Sequence, residues 1–112
     1  MELLAKLTAF EDRYKEIEAL MAQPEIATNF ERVQVLVRER ASLDEVVRMF
    51  RQYRKILKEL EDTTILLADG LDPDVANLAR DELVQLATDK QEIERSLRLK
   101  LLPHDPQDDK NV

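Results

Sequence analysis

The sequence predicts an all-α protein, an elongated antiparallel bundle of three long helices with coiled-coil-like packing. Three observations lead there. Apolar residues recur at alternating steps of three and four along most of the chain, which gathers them on one stripe of a helix. A single glycine, Gly70, and four prolines among 112 residues leave few places where a helix must stop. No stretch alternates apolar and polar residues as a half-buried strand would.

The first helix carries Leu3, Leu7, Phe10, Tyr14, Ile17 and Met21 at steps of 4, 3, 4, 3 and 4. Leu4 and Leu20 widen the stripe, and Glu11, Asp12, Lys15, Glu16 and Glu18 are expected on or beside the solvent flank. Gln23-Pro24 ends it, because a residue before proline is pushed out of the α region. The second helix starts at Thr28 or Asn29, where Thr28 and Glu31 fit a capping box. It runs unbroken to about Leu67, a rod of about 60 Å at the helical rise. Its later half carries Leu43, Val46, Phe50, Tyr53, Leu57, Leu60, Thr64 and Leu67 in register. Its earlier half presents Phe30, Val33, Leu36 and Val37 well round the cylinder, so one partner is expected along each half.

Asp69-Gly70 closes the rod, Gly70 suiting a left-handed position. A third helix opens with Asp72 as N-cap and Pro73 as its first residue. Ala76, Ala79, Leu83, Leu86, Ile93, Leu97 and Leu101 line its seam, with Lys90 the one polar interruption. Pro103 and Pro106 finish it, and a polar tail follows. Short connectors favour antiparallel neighbours, so helix one is expected along the start of helix two and helix three along its end. The overlap predicts a three-helix waist with two-helix ends.

Composition excludes much chemistry. Seventeen Lys and Arg against 24 Asp and Glu leave a net charge of −7, unlike a general nucleic-acid or membrane-surface binder, and no direct DNA binding is expected. There is no cysteine, and the one histidine is His104 in the tail, so thiol catalysis, Cys-ligated zinc and His-rich metal sites are not expected. One glycine cannot build a phosphate-cradling loop. No apolar run approaches the roughly 20 residues of a membrane span, and no signal peptide is evident. A soluble, cytoplasmic, cofactor-free chain is the expectation.

The carboxylate pairs Asp72/Asp74, Asp81/Glu82 and Glu92/Glu94 read as helix-end and solvated charge rather than acid–base catalysts, since no aromatic or glycine-rich pocket accompanies them. A basic run stands out more. Arg48, Arg51, Arg54, Lys55 and Lys58 share a stripe away from the Phe50/Tyr53/Leu57 seam. Such a stripe suits docking on ribonucleoprotein. Residues 1–28, 29–68 and 69–112 carry −3, +1 and −5, however, so pairing with the acidic flanks of helices one and three, or simple solvation, is the preferred reading.

Two regions carry a family resemblance. The ending Leu101-Leu102-Pro103-His104-Asp105-Pro106-Gln107-Asp108-Asp109-Lys110-Asn111-Val112 resembles the segment of bacterial class I peptide chain release factors that leads into their central domain. It is closest to the branch that reads UAA and UAG. Leu7-x-x-Phe10-x-x-x-Tyr14-x-x-Ile17, the Gln23-Pro24-Glu25 break and the Asn29-Phe30-Glu31-Arg32 start resemble the same family's N-terminal helical domain. The tail is the more specific of the two, because helix periodicity does not demand its order of Pro, Asp, Lys and Asn.

The resemblance implies a cytoplasmic factor that triggers peptidyl-tRNA hydrolysis on the ribosome at stop codons. It implies as partners the stalk base of the large subunit and the class II release-factor GTPase. A chain with one glycine cannot contain the family's catalytic Gly-Gly-Gln loop, so no catalytic residue is expected here and the chain alone should not act as an enzyme. Residues 1–102 are then an N-terminal helical domain and 103–112 a linker towards a central domain that this chain lacks. The competing expectation is a freestanding coiled-coil adaptor or dimeric scaffold. Ile65, Leu66 and Leu99 are expected to be partly exposed, which suggests the hypothesis that the isolated chain self-associates.

Overall fold

The computed structural model describes residues 2–102. They form four helices, α1 (Glu2–Met21), α2 (Pro24–Ala27), α3 (Phe30–Ala68) and α4 (Pro73–Lys100), with no strand among the described residues. The all-α class and the three long helices are as the periodicity predicts. The expected linker 103–112, with His104, lies outside the described residues. The chain divides into two compact units, Met1–Lys55 and Ile56–Val112.

In the first unit α1 turns its Leu7, Tyr14 and Ile17 inward, with Leu3, Phe10 and Met21 half-buried at the margins. Residue numbers rise along α1 as those of its α3 partners fall: Glu11 meets Arg51 and Arg54, Tyr14 meets Asp44, and Glu18 meets Arg40. The two helices are therefore antiparallel. From α3 come Leu36, Val46, Val47, Phe50 and Tyr53, all buried. The expected early patch is only half right, since Val33 and Leu36 face inward while Phe30 and Val37 are exposed.

The turn between these helices differs from expectation. Pro24 does not merely stop α1; it sits at the start of α2, where its missing N–H is no loss and its fixed φ is already helical. This single turn delivers Ile26 into a cluster with Ile17 and Leu36, against which Leu20, Met21, Val33 and Leu43 pack. Thr28 is not the N-cap of α3. Its hydroxyl donates back to the Pro24 carbonyl at 2.9 Å, closing α2. The cap is Asn29, whose Oδ1 accepts the Arg32 N–H at 3.3 Å while its carbonyl accepts that of Val33.

In the second unit the remainder of α3 buries Ile56 and half-buries Leu57, Leu60, Thr63 and Leu67. Thr64, expected in the seam, is exposed and donates its hydroxyl to the Leu60 carbonyl at 2.7 Å. Leu57, Leu60 and Leu67 thus turn partly inward as predicted, while Ile56 is an additional buried position and Thr63 takes the place expected of Thr64. Gly70 takes φ +79°, the left-handed conformation that side chains resist. Pro73 opens α4 after an extended Asp72, whose carbonyl accepts the Ala76 N–H at 2.8 Å although its side chain makes no capping bond. Ala76, Leu86, Ile93 and Leu97 are buried and Ala79, Leu83 and Lys90 half-buried, as the α4 seam predicts. Arg98 and Lys100 occupy the last turn, where positive charge suits the carbonyl end of the helix.

Candidate functional site

The polar face joining α1 to α3 in the first unit is the most organised feature outside the apolar core. Glu11 lies at its centre. Placed one residue off the Leu7–Tyr14 line, it was expected at the solvent flank, but it is only 2% exposed. An unpaired buried carboxylate is strongly unfavourable, and two guanidinia resolve this. Arg51 Nε donates to Glu11 Oε2 at 2.9 Å, and Arg54 Nη2 donates to the same oxygen at 2.8 Å. Burial alone pushes the Glu11 carboxyl up. The Arg51 hydrogen bond, with the charges of Arg54, Lys15 and Arg51, outweighs burial and holds it below the usual carboxylate value.

Both arginines are also held on an aromatic face. The Arg51 guanidinium lies 5.5 Å from the Tyr14 ring centre, and Arg54 lies 4.9 Å from that of Phe50. Arg40 stacks on Tyr14 as well, at 5.0 Å, and donates to Glu18 at 3.1 Å. The Tyr14 hydroxyl donates to Asp44 Oδ1 at 2.9 Å; that bond, then burial, raises the phenol above its ordinary value. Further along, Arg13 grips Glu39 through two parallel bonds of 2.6 and 2.7 Å. This bond keeps the Glu39 carboxyl low and the Arg13 guanidinium firmly charged.

The predicted basic stripe is thereby resolved into different environments. Arg51 and Arg54 are fixed to Glu11 yet leave their side chains 46% and 51% exposed. Arg48 is 3.9 Å from Asp44 and largely free in solvent. Lys55 is exposed. Lys58 belongs to the second unit, where it lies 3.6 Å from Asp62. Sequence reasoning missed Glu11 because its charge suggested solvent. The available signal was its place four residues after Leu7 and three before Tyr14, opposite arginines spaced i, i+3.

Among the described residues no group of three or more His, Cys, Asp or Glu residues is placed to hold a metal ion. A depression of about 470 Å³ runs along α4 beside Gln91, Glu94, Arg95, Arg98, Leu99 and Leu102. Another of about 340 Å³ lies on α3 at Glu31, Arg32, Val35 and Leu36. Both are open surfaces rather than enclosed reaction chambers. No helix of the described residues is long and apolar enough to cross a membrane.

Comparison with known proteins matches residues 10–112 to the PCRF domain. The chain is 39% identical over 107 residues to Peptide chain release factor 1 of Carboxydothermus hydrogenoformans, an overlap of 96% of this chain and 30% of that relative. It is 40% identical over 111 residues to Peptide chain release factor 1 of an Anaeromyxobacter species, covering 99% of this chain and 30% of the relative. Against Peptide chain release factor 1 of Streptococcus equi subsp. equi the identity is 38% over 113 residues, covering 100% and 31%. The chain spans less than a third of the length of these curated relatives. No solved structure matches it.

Proposed function

The chain belongs to the PCRF domain family, and on that premise we propose that it is the N-terminal helical domain of a class I peptide chain release factor. The carrying observation is that nearly its whole length aligns, at close to two residues in five identical, with about 30% of release factor 1 from each of two bacteria. Residues 1–102 form the helical domain, and 103–112 lead towards a central domain. In the longer factor, other domains read UAA and UAG and trigger hydrolysis of peptidyl-tRNA. This chain docks and does no chemistry. Its partners are the stalk base of the large ribosomal subunit and the class II release-factor GTPase, and it works in the cytoplasm. Arg48, Arg51, Arg54 and Lys55 of the first unit are its docking cations, and Lys58 of the second unit is a candidate by itself, a reading supported by the exposure of each on α3.

Co-sedimentation with large ribosomal subunits tests the proposal. The purified chain is expected to pellet with intact subunits, to stay in solution with subunits stripped of the stalk base, and to release no peptide from stop-programmed ribosomes. Pelleting that ignores the stalk base, or stop-codon-dependent release by the chain alone, refutes it.

A further inference from the structure

We propose that Glu11 is a positioning residue for a phosphodiester-binding face on α3, and that this face takes the backbone of RNA. The proposal rests on the docking reading above and adds the ligand's chemistry and the residue that prepares the site for it.

Arg48 to Lys55 is an eight-residue stretch with four cations and no carboxylate, in a chain of net charge −7. Its two inner cations are held rather than mobile. One edge of each guanidinium is bonded to Glu11 Oε2, and one face of each lies on an aromatic ring, Tyr14 for Arg51 and Phe50 for Arg54. Each side chain nevertheless stays about half exposed, so a ligand in solvent can reach it. A guanidinium edge fixed in this way presents paired N–H donors to a phosphate oxygen. Arg48 and Lys55 flank the pair as loosely held charges on the same helix.

The partner's class follows from what this face lacks. None of the exposed large hydrophobic residues lies between positions 38 and 64. Protein interfaces depend on buried apolar and aromatic anchors, and a face without them gains little from a folded partner. A polyanionic backbone needs only cations and releases counterions when it binds them. Glu11 sacrifices one unit of attraction, yet it removes the ordering cost that two long flexible side chains otherwise meet on binding.

These two effects have opposite signs, which makes the proposal testable. Binding of the full chain to a fluorescently labelled RNA hairpin is followed by anisotropy across a salt series. Glu11→Gln is expected to weaken binding about tenfold, the scale of freezing two rotamer-rich side chains, with helicity and salt slope retained. Glu31→Gln, the same charge change at an exposed site on α3, leaves affinity unchanged or slightly tighter. Arg51→Lys with Arg54→Lys also weakens binding, although every charge is kept. Lys55→Gln lowers the salt slope by about 0.9, one phosphate contact.

Tighter binding by Glu11→Gln, matching Glu31→Gln, overturns the positioning role. Competition by polyglutamate as effective as by unlabelled RNA overturns the RNA assignment in favour of an acidic protein. A chain that pellets with large subunits but ignores the hairpin overturns the phosphodiester face and leaves the docking reading intact. Stripe-dependent hairpin binding by a chain that ignores the subunit upholds the face and refutes the ribosomal reading.

Discussion

Glu11→Gln also makes a sharp prediction about folding. The substitution keeps the shape and one acceptor oxygen but puts an NH2 donor in place of the other oxygen and removes the charge that faces Arg51 and Arg54. An exposed ion pair contributes about 0–1 kcal/mol, and breaking a fully buried one costs about 3–5 kcal/mol. Here the carboxylate is buried while both guanidinia are half solvated, so water screens one side of the interaction. The expected loss is about 1–2 kcal/mol, small against the roughly 5–15 kcal/mol typical of folded domains, so the variant stays folded. Urea titration followed by far-UV circular dichroism measures it, with Glu31→Gln as the exposed control. The effect has a defined pH dependence. Because the folded Glu11 carboxyl is held below its ordinary value, its stabilisation is complete above the unfolded pKa of about 4.3 and disappears as pH falls through the folded value. Wild-type and Glu11→Gln curves should therefore converge in acid. A gap that widens towards low pH, or no gap at neutral pH, refutes the account of this cluster.

Other substitutions probe the remaining supports. Ile17→Ala removes a fully buried side chain and should cost about 2–5 kcal/mol by denaturant titration, towards the lower end because half-buried Leu20, Met21, Val33 and Leu43 can settle into the space. Gly70→Ala meets no atom within 4 Å, yet it should lower stability by about 1–2 kcal/mol because its φ is +79°. Spectrophotometric titration should show Tyr14 forming phenolate above the ordinary tyrosine value of about 10, and Asp44→Asn should bring that transition to lower pH. The stabilisation tied to this shift is complete below the unfolded pKa and lost as pH rises through the folded one.

The long apolar rows made the helices legible. The α4 seam from Ala76 to Leu97 was readable almost residue by residue, because one face of a helix does one job there. On α3 after Tyr53 the same reasoning found Leu57, Leu60 and Leu67 but missed Ile56 and chose Thr64 in place of Thr63. A rule of alternating threes and fours selects Leu57 and Thr64, whereas the helix buries Ile56 and brings Thr63 partly inward. Apolar residues at both 56 and 57 leave sequence periodicity unable to choose. Thr28 misled for another reason: its hydroxyl can serve either the helix behind it or the helix ahead, and the choice depends on Pro24 starting a turn of its own. Glu11 was the largest omission. Residue type places a lone carboxylate in water, and only the approach of Arg51 and Arg54 from distant sequence makes its burial tolerable.

The two corners of the chain also differ in what can be built on them. Between α1 and α3, Ile26 belongs to the core, so peptide spliced into that turn would unseat the cluster beneath it. At Asp69-Gly70 both residues face solvent, and nothing lies within 4 Å of where a Gly70 side chain would begin. An epitope tag or fluorophore attachment sequence belongs at that second corner, where it can project outward and leave the packed faces undisturbed.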